Sequence, residues 1–266
     1  RGESKALTEQ ELVPAESVTV VLSEKGWVRC AKGHEVDGKS LSYKAGDEFL
    51  CSAPGRSNQP SVFIDTSGRA FATETHTLPS ARSQGEPITT RFNLAPGATM
   101  EHVLLADESQ CYILASDAGY GFIAANKDMI SRNKAGKALL SLPANAKVLL
   151  PQKVDKSKAQ SILAITNEGR MLLFSLDALP QLTKGKGNKI IGIPTERAKN
   201  REELLIHLNV IPEDMPVTLW AGKRKLTLKP SDLEHYRGER GRRGAKLPRG
   251  LQRVDSVELG DGEPSI

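Results

Sequence analysis

Only 5% of the 266 residues are aromatic and 38% hydrophobic, too few large apolar side chains for one big core; a set of small cores fits better. No apolar run approaches the roughly 18 residues of a membrane span. Three cysteines, Cys30, Cys51 and Cys111, lack C-x-x-C spacing, which excludes a zinc site and a disulfide scaffold and leaves reduced core residues of a cytosolic protein. The formal charge is +5, yet residues 181–249 carry sixteen Lys or Arg against eight Asp or Glu, so the basic charge is concentrated late in the chain.

Residue 1 is Arg, and residues 1–16 hold no apolar run like a signal peptide, as expected of an excised domain or a processed product. The first predicted hairpin runs from a β-branched strand over 18–22 through the polar turn Ser23-Glu24-Lys25-Gly26 into a second strand from Trp27. The same phrase recurs every 40 to 55 residues or so. The strand over 61–64 enters Asp65-Thr66-Ser67-Gly68, 111–115 enters Ser116-Asp117-Ala118-Gly119, and 161–165 enters Thr166-Asn167-Glu168-Gly169. The fifth copy is Trp220-Ala221-Gly222-Lys223-Arg224-Lys225-Leu226. In each, glycine can take a positive φ without steric cost, and Asp65, Asp117 and Asn167 read as Asx caps of their own turns. A period of this size predicts an array of small β units.

A second phrase, basic and glycine-bearing, follows most of these hairpins at a nearly constant distance. It comprises Ala81-Arg82-Ser83-Gln84-Gly85-Glu86, Arg132-Asn133-Lys134-Ala135-Gly136-Lys137, Lys184-Gly185-Lys186-Gly187-Asn188-Lys189 and Arg240-Gly241-Arg242-Arg243-Gly244-Ala245-Lys246. Glycine between basic residues lets a backbone lie close to a phosphate chain while side chains and N–H groups bind it. Repeated at one place in each unit, the phrase would line a rim suited to a curved polyanion. Residues 194–205 are the longest interruption in the strand pattern and read as a helical turn or loop inserted in the fourth unit. Residues 254–266 are acidic and contain no Lys or Arg, which suits a segment that closes the last unit and then frays.

Nothing in the chain reads as catalytic. His34, His76, His102, His207 and His235 have no ligand spacing. Tyr43, Tyr112, Tyr120 and Tyr236 sit in ordinary strand or loop contexts, where packing and hydrogen bonding are the default.

The opening over 7–29, with Glu11-Leu12-Val13-Pro14-Ala15-Glu16 leading into strand, polar turn, Gly26, Trp27, Val28 and Arg29, resembles the start of the C-terminal domains of bacterial type IIA topoisomerase A subunits. The resemblance extends repeat by repeat over essentially the whole chain. It implies an all-β, five-bladed β-pinwheel of strand-exchanged four-stranded blades, with a linker over 1–16, a DNA-binding domain over 17–260 and an acidic tail over 261–266. The blades would start near 17, 61, 110, 160 and 216, and five copies rather than six point to an open or irregular ring. Gyrase A subunits carry a box close to Q-R-R-G-G-K-G, typically in the first blade. The stretch over 30–40 lacks it, which favours the topoisomerase IV branch.

The implied function is sequence-independent binding and bending of DNA, steering segments for strand passage, supercoil relaxation and decatenation. The phosphate contacts expected from the basic phrases are Arg132, Lys134, Lys137, Lys184, Lys186, Lys189, Arg240, Arg242, Arg243, Lys246 and Arg249. Lys223, Arg224 and Lys225 are further candidates for DNA or a protein partner. The fragment needs no cofactor, while ATP and magnesium are implied for the holoenzyme. Implied partners are double-stranded DNA, the rest of the topoisomerase IV A subunit, the ATPase B subunit within the holoenzyme and an SMC-type chromosome condensin, the isolated domain being monomeric. The implied location is cytoplasmic and chromosome-associated, with room for peripheral inner-membrane association. The competing reading is a propeller-type protein-interaction module, which would show a dominant apolar or mixed-charge patch and salt-tolerant binding.

Overall fold

The structure is a computed structural model and describes residues 15–107 and 110–260. The linker expected over 1–16 lies outside the described residues but for Ala15 and Glu16, as does the tail over 261–266. Two compact units are present, one of residues up to 107 with 126–139, the other of 110–125 with 140–260.

The first unit opens with β1 (Ser17–Ser23), β2 (Trp27–Lys32), β3 (Phe49–Arg56), β4 (Pro60–Asp65), β5 (Arg69–Glu74), β6 (Glu86–Pro87) and β7 (Met100–Leu105). After β8 (Cys111–Ala115) and β9 (Tyr120–Ala125) of the second unit, β10 (Lys137–Ala138) belongs again to the first. The second unit continues with β11 (Gln152–Val154), β12 (Gln160–Thr166), β13 (Arg170–Ser175), β14 (Asn188–Lys189) and β15 (Leu205–Pro212). It ends with β16 (Val217–Ala221), β17 (Arg224–Leu228), β18 (Ala245–Lys246) and β19 (Ser256–Leu259).

These strands form five antiparallel sheets, in the orders β3-β1-β2-β6, β10-β5-β4-β7, β11-β8-β9-β14, β15-β12-β13-β18 and β17-β16-β19. Each sheet is a hairpin with the following strand added to its first arm. In the first four sheets a two-residue strand from much later in the chain is added to the second arm. Glu86 pairs with Val28, Lys137 with Ala70, Asn188 with Gly121 and Ala245 with Met171. The phrase that follows one hairpin therefore completes the sheet before it. Residues 240–246, which chain order assigns to the fifth unit, sit on the fourth sheet.

The first arms of the first four hairpins are buried on both faces, whereas β17 of the fifth is exposed at Arg224 and Lys225. In the first unit Val18, Val20 and Leu22 of β1 meet Phe63, Phe71 and Val103 of the second sheet, with Ile88 and Phe92 between them. The Phe92 ring lies 5.3 Å from Phe71 and 6.1 Å from Phe63, tilted against both. In the second unit one core joins Ile113, Ile123, Ile162 and Phe174, and another joins Leu163, Ile165, Leu219 and Leu228. Small seam cores of this kind are what the low aromatic content called for. Cys30, Cys51 and Cys111 are half-buried and unbridged, and burial pushes the Cys51 thiol up to about 12.

Four of the five expected turns are alike. The glycine N–H returns to the first turn residue, Gly26 to Ser23, Gly68 to Asp65, Gly119 to Ser116 and Gly169 to Thr166, at 3.0 to 3.1 Å. All four glycines have φ between 78° and 91°. In three of the four turns the first position caps: Ser23 Oγ accepts from Trp27 N–H and Asp65 Oδ1 from Arg69 N–H, both at 3.0 Å, and Thr166 Oγ1 from Arg170 N–H at 3.3 Å, whereas the buried Ser116 hydroxyl does not. Asp117 and Asn167 stand one position later, and the expectation that they cap their own turns is corrected. Asp117 accepts from Lys147 N–H at 2.9 Å and from the Arg201 guanidinium, and Asn167 Oδ1 accepts from Leu204 N–H at 2.9 Å.

The fifth hairpin also differs from the copy read in the sequence. Ala221 pairs with Arg224, so Gly222 and Lys223 alone make a tight turn, with Gly222 at φ 61°. Residues 194–205 contain the expected helical turn, Thr195–Lys199.

Candidate nucleic-acid interface

The late two-residue strands shape the basic loops. At the first sheet the chain arrives parallel to β2, where Cys30 N–H donates to Pro79 O at 2.8 Å and Ala81 N–H to Cys30 O at 2.9 Å. It loops outward and returns antiparallel at Glu86. The third sheet repeats this, with Ile123 N–H donating to Pro180 O at 3.0 Å and Leu182 N–H to Ile123 O at 3.0 Å. On the fourth, Gly238 N–H donates to Leu173 O at 3.0 Å before Ala245 pairs with Met171. Each basic phrase is thus a loop outside the last strand of its sheet.

The returning glycine is required by this crossing. Gly85, Gly136, Gly187 and Gly244 all have positive φ, between 69° and 88°. A Cβ on Gly136 would lie 2.7 Å from Ala70 O, and one on Gly244 2.5 Å from Met171 O. On Gly85 it would overlap Val28 O, and on Gly187 Gly121 O. Close approach of backbone to backbone accounts for these glycines without any phosphate. Gly187→Ala is expected to cost about 2 kcal/mol or more, from left-handed strain plus the clash. The denaturant midpoint would show the loss.

Arginines on the second hairpin arms hold the loops from below. Buried Arg29 donates to Ser83 O at 3.0 Å and Ser42 O at 2.7 Å. Arg69 donates to Ala135 O and Gly136 O, and Arg170 to Gly244 O at 3.3 Å. The loop backbones are fixed, so their outward side chains are displayed on a rigid frame.

The expected contact residues divide into two groups. Among the described residues, Arg132, Lys134, Lys184, Lys189, Lys223 and Arg249 are exposed and make no side-chain hydrogen bond or ion pair, and Lys137 is half-exposed and equally free. Lys186 is exposed with its Nζ 4.4 Å from the Tyr120 ring centroid, and Lys225 lies 5.6 Å from that of Trp220. Arg224 is exposed beside Gly250.

The densest phrase behaves otherwise. Arg240 donates to Ala178 O and Lys189 O, both at 2.7 Å, and Arg242 pairs with Glu239 at 3.1 Å. Arg243 grips Glu203, whose side chain is wholly buried, through 2.5 and 3.0 Å bonds, and also donates to Gly192 O. Lys246 donates to Glu168 O at 2.9 Å. Three of these four bind across to neighbouring segments of the fold, and two backbone bonds, Gly241 N–H to Ile190 O and Gly192 N–H to Arg242 O, bring this loop against the segment after β14. Arg240 thereby lies beside Lys189 in the second unit.

Arg82 was not among the expected contacts, yet it is exposed in the equivalent loop of the first sheet. Its signal was positional: Gly85 follows Gly68 by the same 17 residues that separate Gly136 from Gly119.

Glu168, whose carbonyl accepts from Lys246, is held below the usual carboxylate range by its hydrogen bond from Arg197 and that residue's charge. The lowered value means the pair stabilises the fold fully above the unfolded carboxylate pKa, and the contribution fades as pH falls through the folded one. Glu168→Gln should therefore flatten the loss of thermal stability between about pH 5 and pH 3.

Known proteins carry the same pattern. Residues 160–212 match the family model described as DNA gyrase C-terminal domain, beta-propeller. The A subunit of DNA topoisomerase 4 from Pseudomonas aeruginosa is 59% identical over 97% of this chain, and that from Escherichia coli K12 51% identical over 97%. The chain spans about a third, 34%, of the length of each. The solved structure of the E. coli ParC C-terminal domain superposes with a TM-score of 0.83 at 51% identity, covering 92% of this chain and 99% of that one. A DNA gyrase A C-terminal domain shares the fold, with a TM-score of 0.65 at 14% identity over 92% of this chain and 83% of that one.

Proposed function

The chain belongs to the family of C-terminal domains of the topoisomerase IV A subunit (ParC), and from that premise we propose that it binds duplex DNA through phosphates, without reading base sequence, and bends it. The observation that carries this reading is the set of outward loops on rigid frames, whose Arg132, Lys134, Lys137, Lys184 and Lys189 make no side-chain hydrogen bond or ion pair among the described residues, while Arg240, Arg243 and Lys246 are used in packing. Lysine acts there as a point charge toward phosphate, which positions a duplex and carries no sequence information. Bending 20 to 30 base pairs by 40 to 90° costs on the order of 1–6 kcal/mol, which several contacts spread over successive loops offset.

Within the whole protein, the domain would present DNA segments to a strand-passing centre formed by the rest of its own polypeptide together with the ATPase B subunit. ATP and magnesium would act in those parts, and an SMC-type condensin is a further partner on this reading. The isolated domain would be a monomer associated with the chromosome in the cytoplasm, with any link to the inner membrane peripheral and made through the holoenzyme. The test is competition among duplexes of equal length and unrelated sequence. Equal affinities within about twofold support phosphate binding, and strong preference for one sequence contradicts it.

A second reading, protein docking, is favoured by one feature of the second unit. Leu150 and Ile206, 59% and 36% exposed, line a shallow apolar groove with Leu149 and Val257. Salt-tolerant binding to a protein with no affinity for DNA would make this reading the better one.

A further inference from the structure

Positive φ is uncommon outside glycine, and a strained backbone persists only where its surroundings over-determine it. Among the described residues three non-glycine residues have it: Asn145 at 64°, Arg201 at 61° and Asp214 at 59°. The first two, 56 residues apart, meet in one joint of the second unit. Arg201 Nη1 donates to Asn145 O at 2.9 Å, and Asn145 Nδ2 donates back to Lys199 O at 3.0 Å. The same guanidinium grips both carboxylate oxygens of Asp117, at 2.8 and 3.0 Å, and the Asp117 side chain is only 8% exposed. A bidentate pair fixes direction as well as distance.

Arg201 lies on the segment that leads from β14 of the third sheet to β15 of the fourth, and this segment is fastened to the hairpin turns of both. To the turn at 116–119 it holds by Arg201 on Asp117 and by Leu205 N–H on Asp117 O at 2.8 Å. To the turn at 166–169 it holds by Arg197 on Glu168 and by Asn167, whose N–H donates to Leu204 O at 3.0 Å and whose Nδ2 donates to Glu202 O at 3.1 Å. Two basic loops close on those same turns: Ile190 N–H donates to Gly119 O at 2.7 Å and Leu247 N–H to Gly169 O at 2.8 Å. The backbone bonds of Ile190 and Gly192 with Gly241 and Arg242 already join the two loops directly. One such fastening acts as a hinge, and a second through different residues sets the angle.

We propose that Arg201, Asp117 and Asn145 are positioning residues for DNA bending: they lock the angle between the third and fourth sheets, and with it the bend of a duplex lying across the loops at 184–189 and 240–246. The proposal rests on the reading that these loops bind duplex DNA. None of the three residues needs to touch a phosphate. The Arg201 guanidinium is engaged by Asp117 and Asn145, and the Asp117 carboxylate would repel a phosphate. A locked angle presents the loops in one arrangement, whereas an opened joint would let the duplex sample many.

The test measures bend separately from affinity. The 266-residue chain is bound at saturation to a duplex of about 20 base pairs carrying spin labels at both ends, and pulsed EPR gives the distribution of end-to-end distance. Arg201→Gly removes the guanidinium at a φ that glycine takes without strain, while Arg201→Lys keeps a charge facing Asp117. The parent is expected to shorten the duplex to one narrow distribution. Arg201→Gly is expected to keep affinity and salt slope within about twofold, since no phosphate contact is lost, yet to widen the distribution at least about twofold. Arg201→Lys should fall between the two. A parent-like width for Arg201→Gly, or a width for Arg201→Lys no nearer the parent's, would overturn the proposal and leave DNA binding standing. Widening accompanied by a matching loss of affinity and salt slope would overturn it too, because the pair would then act through contact or stability. A parent chain that leaves the duplex unbound or straight would overturn both the proposal and the reading beneath it.

Discussion

Arg243→Ala is expected to damage the fold before it damages any binding. Arg243 holds the carboxylate of Glu203, which has no exposed side-chain surface, and reaches Gly192 O as well. Removing the guanidinium leaves a buried carboxylate without its counter-charge, a change that costs about 3–5 kcal/mol. In a chain of this size that corresponds to a fall of roughly 6 to 20 °C in Tm. Glu203→Gln in the same background removes the stranded charge and should recover a large part of the loss. Were Arg243 a surface phosphate contact, as its place in the basic phrase suggested, the single variant would melt like the parent and only DNA affinity would fall. Calorimetry on the two variants separates these roles.

This pair also shows where sequence reading stops. Four of the hairpin turns were legible because each needs a glycine at positive φ after a polar run, a requirement written within six residues. The strand exchange was not: Val28 meets Glu86 and Met171 meets Ala245, and strands of two residues are too short to show any periodicity. Without that pairing, the phrase over 240–246 falls in the wrong sheet and its glycines look like phosphate cradles. Glu203 lies 40 residues before Arg243, so nothing local marks the arginine as a packing element. Asp117 and Asn167 were misread because the backbone groups they accept from, Lys147 N–H and Leu204 N–H, lie 30 and 37 residues further along the chain. The fifth hairpin shares glycine with the others but closes in two residues, and the local sign was Leu219, which stands where the other four turns have Ser, Asp or Thr three residues before the glycine.

The lysines remain as the charges with least to do in the fold. Lys184 and Lys189 make no side-chain hydrogen bond or ion pair among the described residues, and Lys186 only covers the Tyr120 ring. They are thus better probes of binding than the arginines over 240–243, whose removal confounds affinity with stability. Replacing all three with alanine should change stability by no more than about 1.5 kcal/mol in total, since surface changes of this kind are usually worth no more than ±0.5 kcal/mol each. If each meets one phosphate, counterion release predicts that the slope of log affinity against log salt becomes shallower by about 2 to 3.

The most direct test of DNA binding through these loops is that salt titration, on a duplex of about 40 base pairs, comparing the parent chain with the Lys184→Ala, Lys186→Ala, Lys189→Ala triple variant. The phosphate-binding account predicts a steep slope for the parent and a shallower one, with weaker binding, for a variant of unchanged stability. A parent that binds independently of salt, or a variant with the parent's slope and affinity, would contradict it.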